Sequence, residues 1–290
     1  MEHQDRQRTH QVYRNVRTNQ TTALTPANGM PSPWLIGALA ACYLFLLAAL
    51  LWWPGATFLD RLRWLDSGIC AQLPTHSLYP GGERLPLCSR NTGIYLGFIV
   101  TLIIIYARGR GKARALPAKA LMLTLAGGII LLAIDGSNSF LVDLGLPHLY
   151  QPHNLLRLAT GLLTGFAMGV FVLPVINEML WQHSNEQRSL PSWKALIWFL
   201  PALLLCFMAA ASQNQLVLYP LAILSSLGLL SAVGSVNLIF MVLLRHRDQS
   251  FTRYVELLPL CGFALLAASG ELLVLAQFKV LLFQTLSIHL

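Results

Sequence analysis

Charge is scarce in this sequence. Only 11% of its 290 residues are Asp, Glu, Lys or Arg, while 55% are hydrophobic; an ordinary soluble domain carries about 25% charged residues. That shortage excludes a conventional water-soluble domain. The familiar catalytic signatures are missing too. There is no H-E-x-x-H, no Walker loop and no G-x-S-x-G. Five cysteines are present, but none forms the C-x-x-C of a thiol relay or the close pair usual in zinc sites. No internal repeat marks an inverted-repeat transporter. Whether the chain is an enzyme is left open by these absences, and no cofactor is implied.

What remains is long apolar runs. A bilayer crossing needs about 20 predominantly apolar residues, and the runs near that length begin at Trp34, Asn91, Lys119, Asn154, Lys194, Leu216 and Tyr254. The expected fold is all-α, a polytopic transmembrane bundle of seven or eight spans. The eighth depends on 277–290, an apolar stretch that suits a re-entrant piece, a surface helix or a thin span. Residues 1–33 are polar, basic and proline-punctuated, and read as a disordered cytoplasmic tail. A four-span membrane domain, 34–180, follows, then a three- or four-span region, 181–290. Between the first two spans, Phe58, Leu62, Leu65 and Ile69 have the spacing of a short helix lying on the membrane surface, with Asp60, Arg61, Arg63 and Asp66 at other positions.

The net charge is +8. The basic residues sit in short loops beside apolar spans, the pattern that orients helices and meets anionic headgroups rather than nucleic acid. Arg108, Arg110, Lys112 and Arg114 mark one loop, Arg188 another, and Arg245, Arg247 and Arg253 a third; Gly136–His153 and Ser212–Gln215 have no Lys or Arg. Positive-inside reasoning then places the N-terminus in the cytoplasm and Cys70–Arg90 and Gly136–His153 on the outer face. Arg61, Arg63, Arg84 and Arg90 run against that sorting: two read as interface anchors and two as part of a site.

The polar chemistry gathers at that outer face. Cys70 and Cys88 lie eighteen positions apart in one loop. They suit a structural disulfide, a pair of free or redox-active thiols, or, with His76 and Glu83, a weak metal set. Asp135 ends the third apolar run while Asn154 and Arg157 begin the fourth. An ionisable residue at membrane depth calls for a partner, and the expected one is an Asp135–Arg157 pair completed by Asn138 and Asn154. Glu271 is a deeper carboxylate and a candidate for proton coupling. Gly93 and Gly97, and Gly161, Gly165 and Gly169, form small-residue faces; these either pack the second span on the fourth or drive homo-oligomers or a larger complex.

Cys70-x-Gln72, Ser77 and Leu85-Pro86-Leu87-Cys88-x-Arg90-x-Thr92-Gly93-Ile94-Tyr95-x-Gly97, followed by Asp135-Gly136 and Asn154-x-x-Arg157-x-x-Thr160-Gly161, resemble the signature of a bacterial and archaeal membrane family, domain of unknown function 2085. The resemblance covers roughly Ser67–Gly169. It implies a membrane fold and no particular activity. Where family members often carry a histidine, an arginine and a further cysteine, this chain has Ala71, His76 and Asn91. The resemblance therefore implies a site that has lost part of any metal or thiol chemistry.

The combined expectation is a polar pocket at the outer boundary. Arg90, Asp135, Asn138, Asn154 and Arg157 would bind a small anion or a lipid headgroup, with Cys70 and Cys88 fixing the loop above. The alternatives are a membrane redox or metal-dependent enzyme using Cys70 and Cys88, and an accessory subunit of a membrane complex.

Overall fold

The computed structural model describes residues 33–52, 57–182, 185–245 and 249–286. The expected tail, but for Pro33, lies outside the described residues, as do Arg247 and 287–290 of the last apolar stretch. Eight α-helices occur among the described residues: α1 (Pro33–Trp52), α2 (Phe58–Asp66), α3 (Ser89–Ala107), α4 (Lys119–Asp143), α5 (Asn154–Leu180), α6 (Leu196–Ala211), α7 (Leu218–Leu244) and α8 (Tyr254–Leu286). Two short strands, β1 (Ala113–Ala115) and β2 (Asn185–Arg188), pair in parallel.

Helices α3 to α8 are each long and apolar enough to cross a membrane. With 20 residues, α1 also has the length of a crossing. Lipid-facing apolar side chains such as Leu123 on α4, Ile197 and Leu205 on α6 and Val274 on α8 are largely exposed in the isolated chain. The protein is thus an all-α, multi-pass membrane bundle. Among the described residues the lower of the two expected span counts fits: α8 runs unbroken for 33 residues through Gln277 to Leu286, so this part of the stretch extends the last span instead of adding another.

The α3–α5 pair forms the axis of the fold. A Cβ on Gly97 would come within 2.5 Å of the Leu162 carbonyl oxygen, and one on Gly161 or Gly165 would collide with the carbonyls of Arg90 or Ile94. The two backbones touch, and only glycine permits it. Gly161, Gly165 and Gly169 are buried here, with Gly169 against the Thr101 side chain. The reading of these three as a docking face for a second copy or a complex is therefore corrected: the small-residue faces are used inside the chain.

The connections sort into two ends. At one, the Gly81 N–H donates to the Gln213 carbonyl at 2.8 Å, and the Asn154 side chain donates to the Thr75 and Ser77 carbonyls, both at 3.1 Å. The thiol loop, the start of α5 and the turn before α7 are thereby tied together. At the other end, Arg110 donates to the Arg188 carbonyl at 3.0 Å and Lys112 to the Thr252 carbonyl at 2.9 Å. Buried Asn177 braces this end, donating to the carbonyls of Gly111 (3.0 Å) and Ala113 (2.7 Å) and accepting from the Trp181 indole at 2.9 Å.

Two boundaries differ from expectation. Asp135 does not end its helix. α4 continues to Asp143 and stops where Gly145 takes φ +69°, so Asp135, Asn138 and Ser139 share one helical face at i, i+3, i+4. In α2, whose Thr57–Asp60 capping box starts it as a helix, the buried face is Leu59, Leu62 and Asp66. Ile69, expected on the apolar stripe, lies beyond the helix end and is 40% exposed, whereas Asp66, expected on the polar side, is fully enclosed.

Candidate polar site where α3, α4 and α5 meet

Three helices deliver the site. Arg90 stands in the first turn of α3, Asp135, Asn138 and Ser139 on the buried face of α4, and Asn154 and Arg157 in the first turn of α5. The close α3–α5 approach brings both arginines to one place. The side chains of Arg90 and Asp135 are 22% and 2% exposed.

The expected Asp135–Arg157 pair is corrected. Asp135 pairs with Arg90 instead, Nη2 to Oδ2 at 2.7 Å, with Nε adding a contact at 3.3 Å. The same Nη2 reaches the Asp135 carbonyl at 3.2 Å and the Ser139 hydroxyl at 2.9 Å. The second carboxylate oxygen accepts from the Tyr150 hydroxyl at 2.9 Å. Arg157 joins through neutral groups only. Its Nε donates to Ser139 Oγ at 3.3 Å and its Nη1 to Asn154 Oδ1 at 2.8 Å. Asn138 turns away to hold the following loop, accepting from the Leu149 N–H and donating to the Tyr150 carbonyl, each at 2.8 Å. Four of the five expected ligand residues thus form one cluster, and Asn138 is its support.

Arg157 is the unusual member. It is 4% exposed, yet it makes no ion pair among the described residues. Its Nη2 has no hydrogen-bond partner among them. Beside it, His76 faces Asp143 at 3.1 Å. Burial, and then the Arg157 charge, push the His76 ring below its ordinary value, with Asp143 opposing. A cavity of about 350 Å³ adjoins the cluster, lined by residues that include Thr75, Ser77, Tyr79, His153 and Asn154.

The loop above the cluster is stitched by polar contacts. Arg63 donates to the Arg84 carbonyl at 2.6 Å and pairs with Asp60 (2.8 Å) and Glu83 (3.0 Å). Arg84 donates to the Gln72 carbonyl at 2.8 Å, so it serves the loop and not the cluster. Gln72 holds a left-handed backbone, φ +58°, while its side-chain amide donates to the carbonyls of Arg63 and Pro86, both at 2.6 Å.

The disulfide expectation is corrected as well. Cys70 and Cys88 are free thiols. The Cys88 N–H points at the Cys70 sulfur at 3.2 Å. A side-chain hydrogen bond from Cys88 is the largest influence holding the Cys70 thiol below its ordinary value, with Gln72 and Asn91 acting in the same direction; Cys88, the donor, is pushed up. Cys70, His76 and Cys88 do not assemble as a metal set: among the described residues no three His, Cys, Asp or Glu side chains are placed to hold an ion. Glu83 is engaged by Arg63. Glu271 accepts from Asn237 at 3.2 Å across α7 and α8, far along the chain from the cluster.

Residues 70–171 match a family model described as "Predicted membrane protein (DUF2085)". Over this segment the chain is similar to the DUF2085 family. The segment takes in the thiol loop, α3, α4 and every residue of the polar cluster. A curated relative, the uncharacterized protein MJ1492 of Methanocaldococcus jannaschii, is 29% identical over 114 residues, covering 39% of this chain and 67% of its own length. No solved structure matches.

Several participants escaped the sequence reading. Ser139 bridges the two arginines, and Tyr150 completes Asp135; neither residue type is distinctive, although Ser139 lies four positions after Asp135 and so on its helical face. Asp66, just before the matched segment, accepts from Ser226 of α7 at 2.7 Å, and its other oxygen is buried with no partner among the described residues. Burial pushes its carboxyl up to about 7, with the Ser226 hydrogen bond opposing. A carboxylate at i+4 from an inward Leu62 was the available signal.

Proposed function

We propose that the α3–α4–α5 cluster binds a small oxyanion, a phosphate or carboxylate that is either free or carried as a lipid headgroup, on the non-cytosolic face of the membrane. The observation that carries this reading is Arg157, an enclosed guanidinium with hydroxyl and amide partners but no carboxylate of its own. Asp135 and Asp143 act on this charge only from beyond ion-pair distance; enclosing a charge with no direct partner is costly, and a bound anion would offset part of that cost while taking the unused Nη2 donors. The adjoining cavity meets the cluster at Asn154, the side chain that Arg157 Nη1 holds. Arg108, Arg110, Lys112, Arg114, Arg188 and Lys194 at the opposite end support the orientation.

The test is thermal stabilisation of the purified protein by inorganic phosphate, by succinate, and by nanodiscs of anionic against zwitterionic phospholipid. The reading expects one of these probes to raise the melting temperature, with the shift lost in Arg157→Gln and partly kept in Arg157→Lys. Stabilisation by soluble anions assigns a free ligand, and stabilisation by anionic lipid alone assigns a headgroup. If no probe stabilises the protein, or if Arg157→Gln responds as the parent does, the reading is wrong.

A second reading, thiol chemistry at Cys70, is favoured by one observation: its sulfur is ringed by donors, which stabilise a thiolate. Mass spectrometry of alkylated protein isolated with and without prior reductant checks it. Cycling thiols give a reductant-dependent label at Cys70 and Cys88; identical labelling in both samples rejects thiol cycling.

A further inference from the structure

A second cationic pocket lies at the opposite end of the bundle, outside the cluster above and independent of it. α3 ends at Ala107, and Gly109 at φ +69° turns the chain. That turn sets Arg108 and Arg110 beside the entry to α6. Between them opens a cavity of about 240 Å³ whose lining includes Arg108, Arg110, Lys194, Ser189, Ser192 and Trp198, with Ile105 and Phe199 among its apolar walls.

Among the described residues no carboxylate lines this cavity. The acidic side chains nearby are engaged elsewhere or lie off its wall. Glu178 pairs with Arg114, Glu256 accepts from the Thr252 and Arg253 backbones, and Glu186 on β2 is not part of the lining. The two arginines are held in place. The Arg108 guanidinium lies 4.4 Å from the Trp198 ring centroid, and Arg110 is anchored by the Arg188 carbonyl. Charge sorting across a membrane requires basic residues in the loop, but it does not require them to converge on one pocket.

The pocket also has an apolar flank. Trp193 and Trp198 are about half exposed, and below them Ile197, Leu204 and Leu205 present an open apolar face on α6. Half-exposed tryptophans suit the headgroup level of a bilayer. A soluble anion would use the basic rim alone, whereas a phospholipid uses both parts, its phosphate on the arginines and an acyl chain along α6. Basic pockets between membrane helices are suited to this role. We infer that the pocket formed by Arg108, Arg110 and Lys194 is a specific site for the phosphodiester headgroup of an anionic phospholipid.

Native mass spectrometry of the full chain, released from mixed phosphatidylglycerol–phosphatidylcholine nanodiscs, tests this. One phosphatidylglycerol should be retained in preference to phosphatidylcholine. Arg108→Gln with Arg110→Gln should weaken that retention about tenfold or more, while Arg253→Gln, which removes a basic side chain outside the lining, should leave it intact. Equal retention of the two lipids, or equal loss in the Arg253 control, overturns the inference, as does full displacement by soluble glycerophosphate. Should the double variant fail to fold, a photoactivatable phosphatidylglycerol on the unaltered protein decides. Adducts on peptides holding 105–110 and 193–199 support the site, and adducts spread over the basic end refute it.

Discussion

Arg90 and Asp135, 45 residues apart in the chain, meet at 2.7 Å where α3 and α4 pass α5. The carboxylate is enclosed, and its remaining oxygen is capped by Tyr150. Ser139 then links this ion pair to Arg157. The site is one network in which each helix contributes a charge or a hydrogen bond, so its members should respond as a unit.

Truncating one partner of the pair should be severe. Arg90→Met leaves a buried carboxylate with a single phenol, and a stability loss of about 3–5 kcal/mol is expected. Adding Asp135→Leu removes the stranded charge and should recover a large part of that loss. Reversible unfolding in mixed micelles, run as a double-mutant cycle, measures the coupling; simple additivity would contradict the observed pairing.

The glycine contact between α3 and α5 should tolerate no side chain. Gly161→Ala puts a methyl into the Arg90 carbonyl, forcing the helices apart and moving the first turn of α3 with its arginine. Loss of the folded state or a melting temperature lower by many degrees is expected. Gly270→Ala meets nothing within 4 Å and should be neutral or stabilising by up to about 1 kcal/mol. A comparison of the two melts distinguishes contact from mere helix propensity.

Asp66 should make stability depend on pH. Its carboxyl is raised to about 7 in the folded chain, against about 4 when unfolded. Between those values the folded state keeps a proton that the unfolded state has released. Stability therefore falls as pH rises from about 4 to about 7, and the contribution is gone above that. Asp66→Asn cannot titrate and should flatten this part of the profile, which denaturation at a series of pH values will show.

The long apolar runs made the bundle legible, since a bilayer leaves few other uses for them. The site was legible in its members, because Arg90, Asp135, Asn154 and Arg157 are polar residues at the ends of such runs. Their pairing was not. Both arginines begin helices at the same level, and only the glycine-mediated approach of α3 to α5, together with the continuation of α4, decides which one faces Asp135. That continuation was hidden because Asp135-Gly136-Ser137-Asn138-Ser139 is polar and reads as a loop. It stays helical because Arg90, Tyr150 and the loop backbone satisfy its inward side chains. Asp66 was missed for a similar reason: an inward carboxylate breaks the apolar pattern that locates a buried face.

The length of α8 has a mechanical consequence. At 1.5 Å per residue, Tyr254 to Lys279 spans close to 38 Å, more than the roughly 30 Å of hydrocarbon. Its far end must therefore lean or emerge into the headgroup layer. There Lys279 donates to the Cys70 and Ala71 carbonyls at 3.1 and 3.3 Å. The last helix acts as a strut, tethering the thiol-bearing hairpin to the thickness of the surrounding lipid.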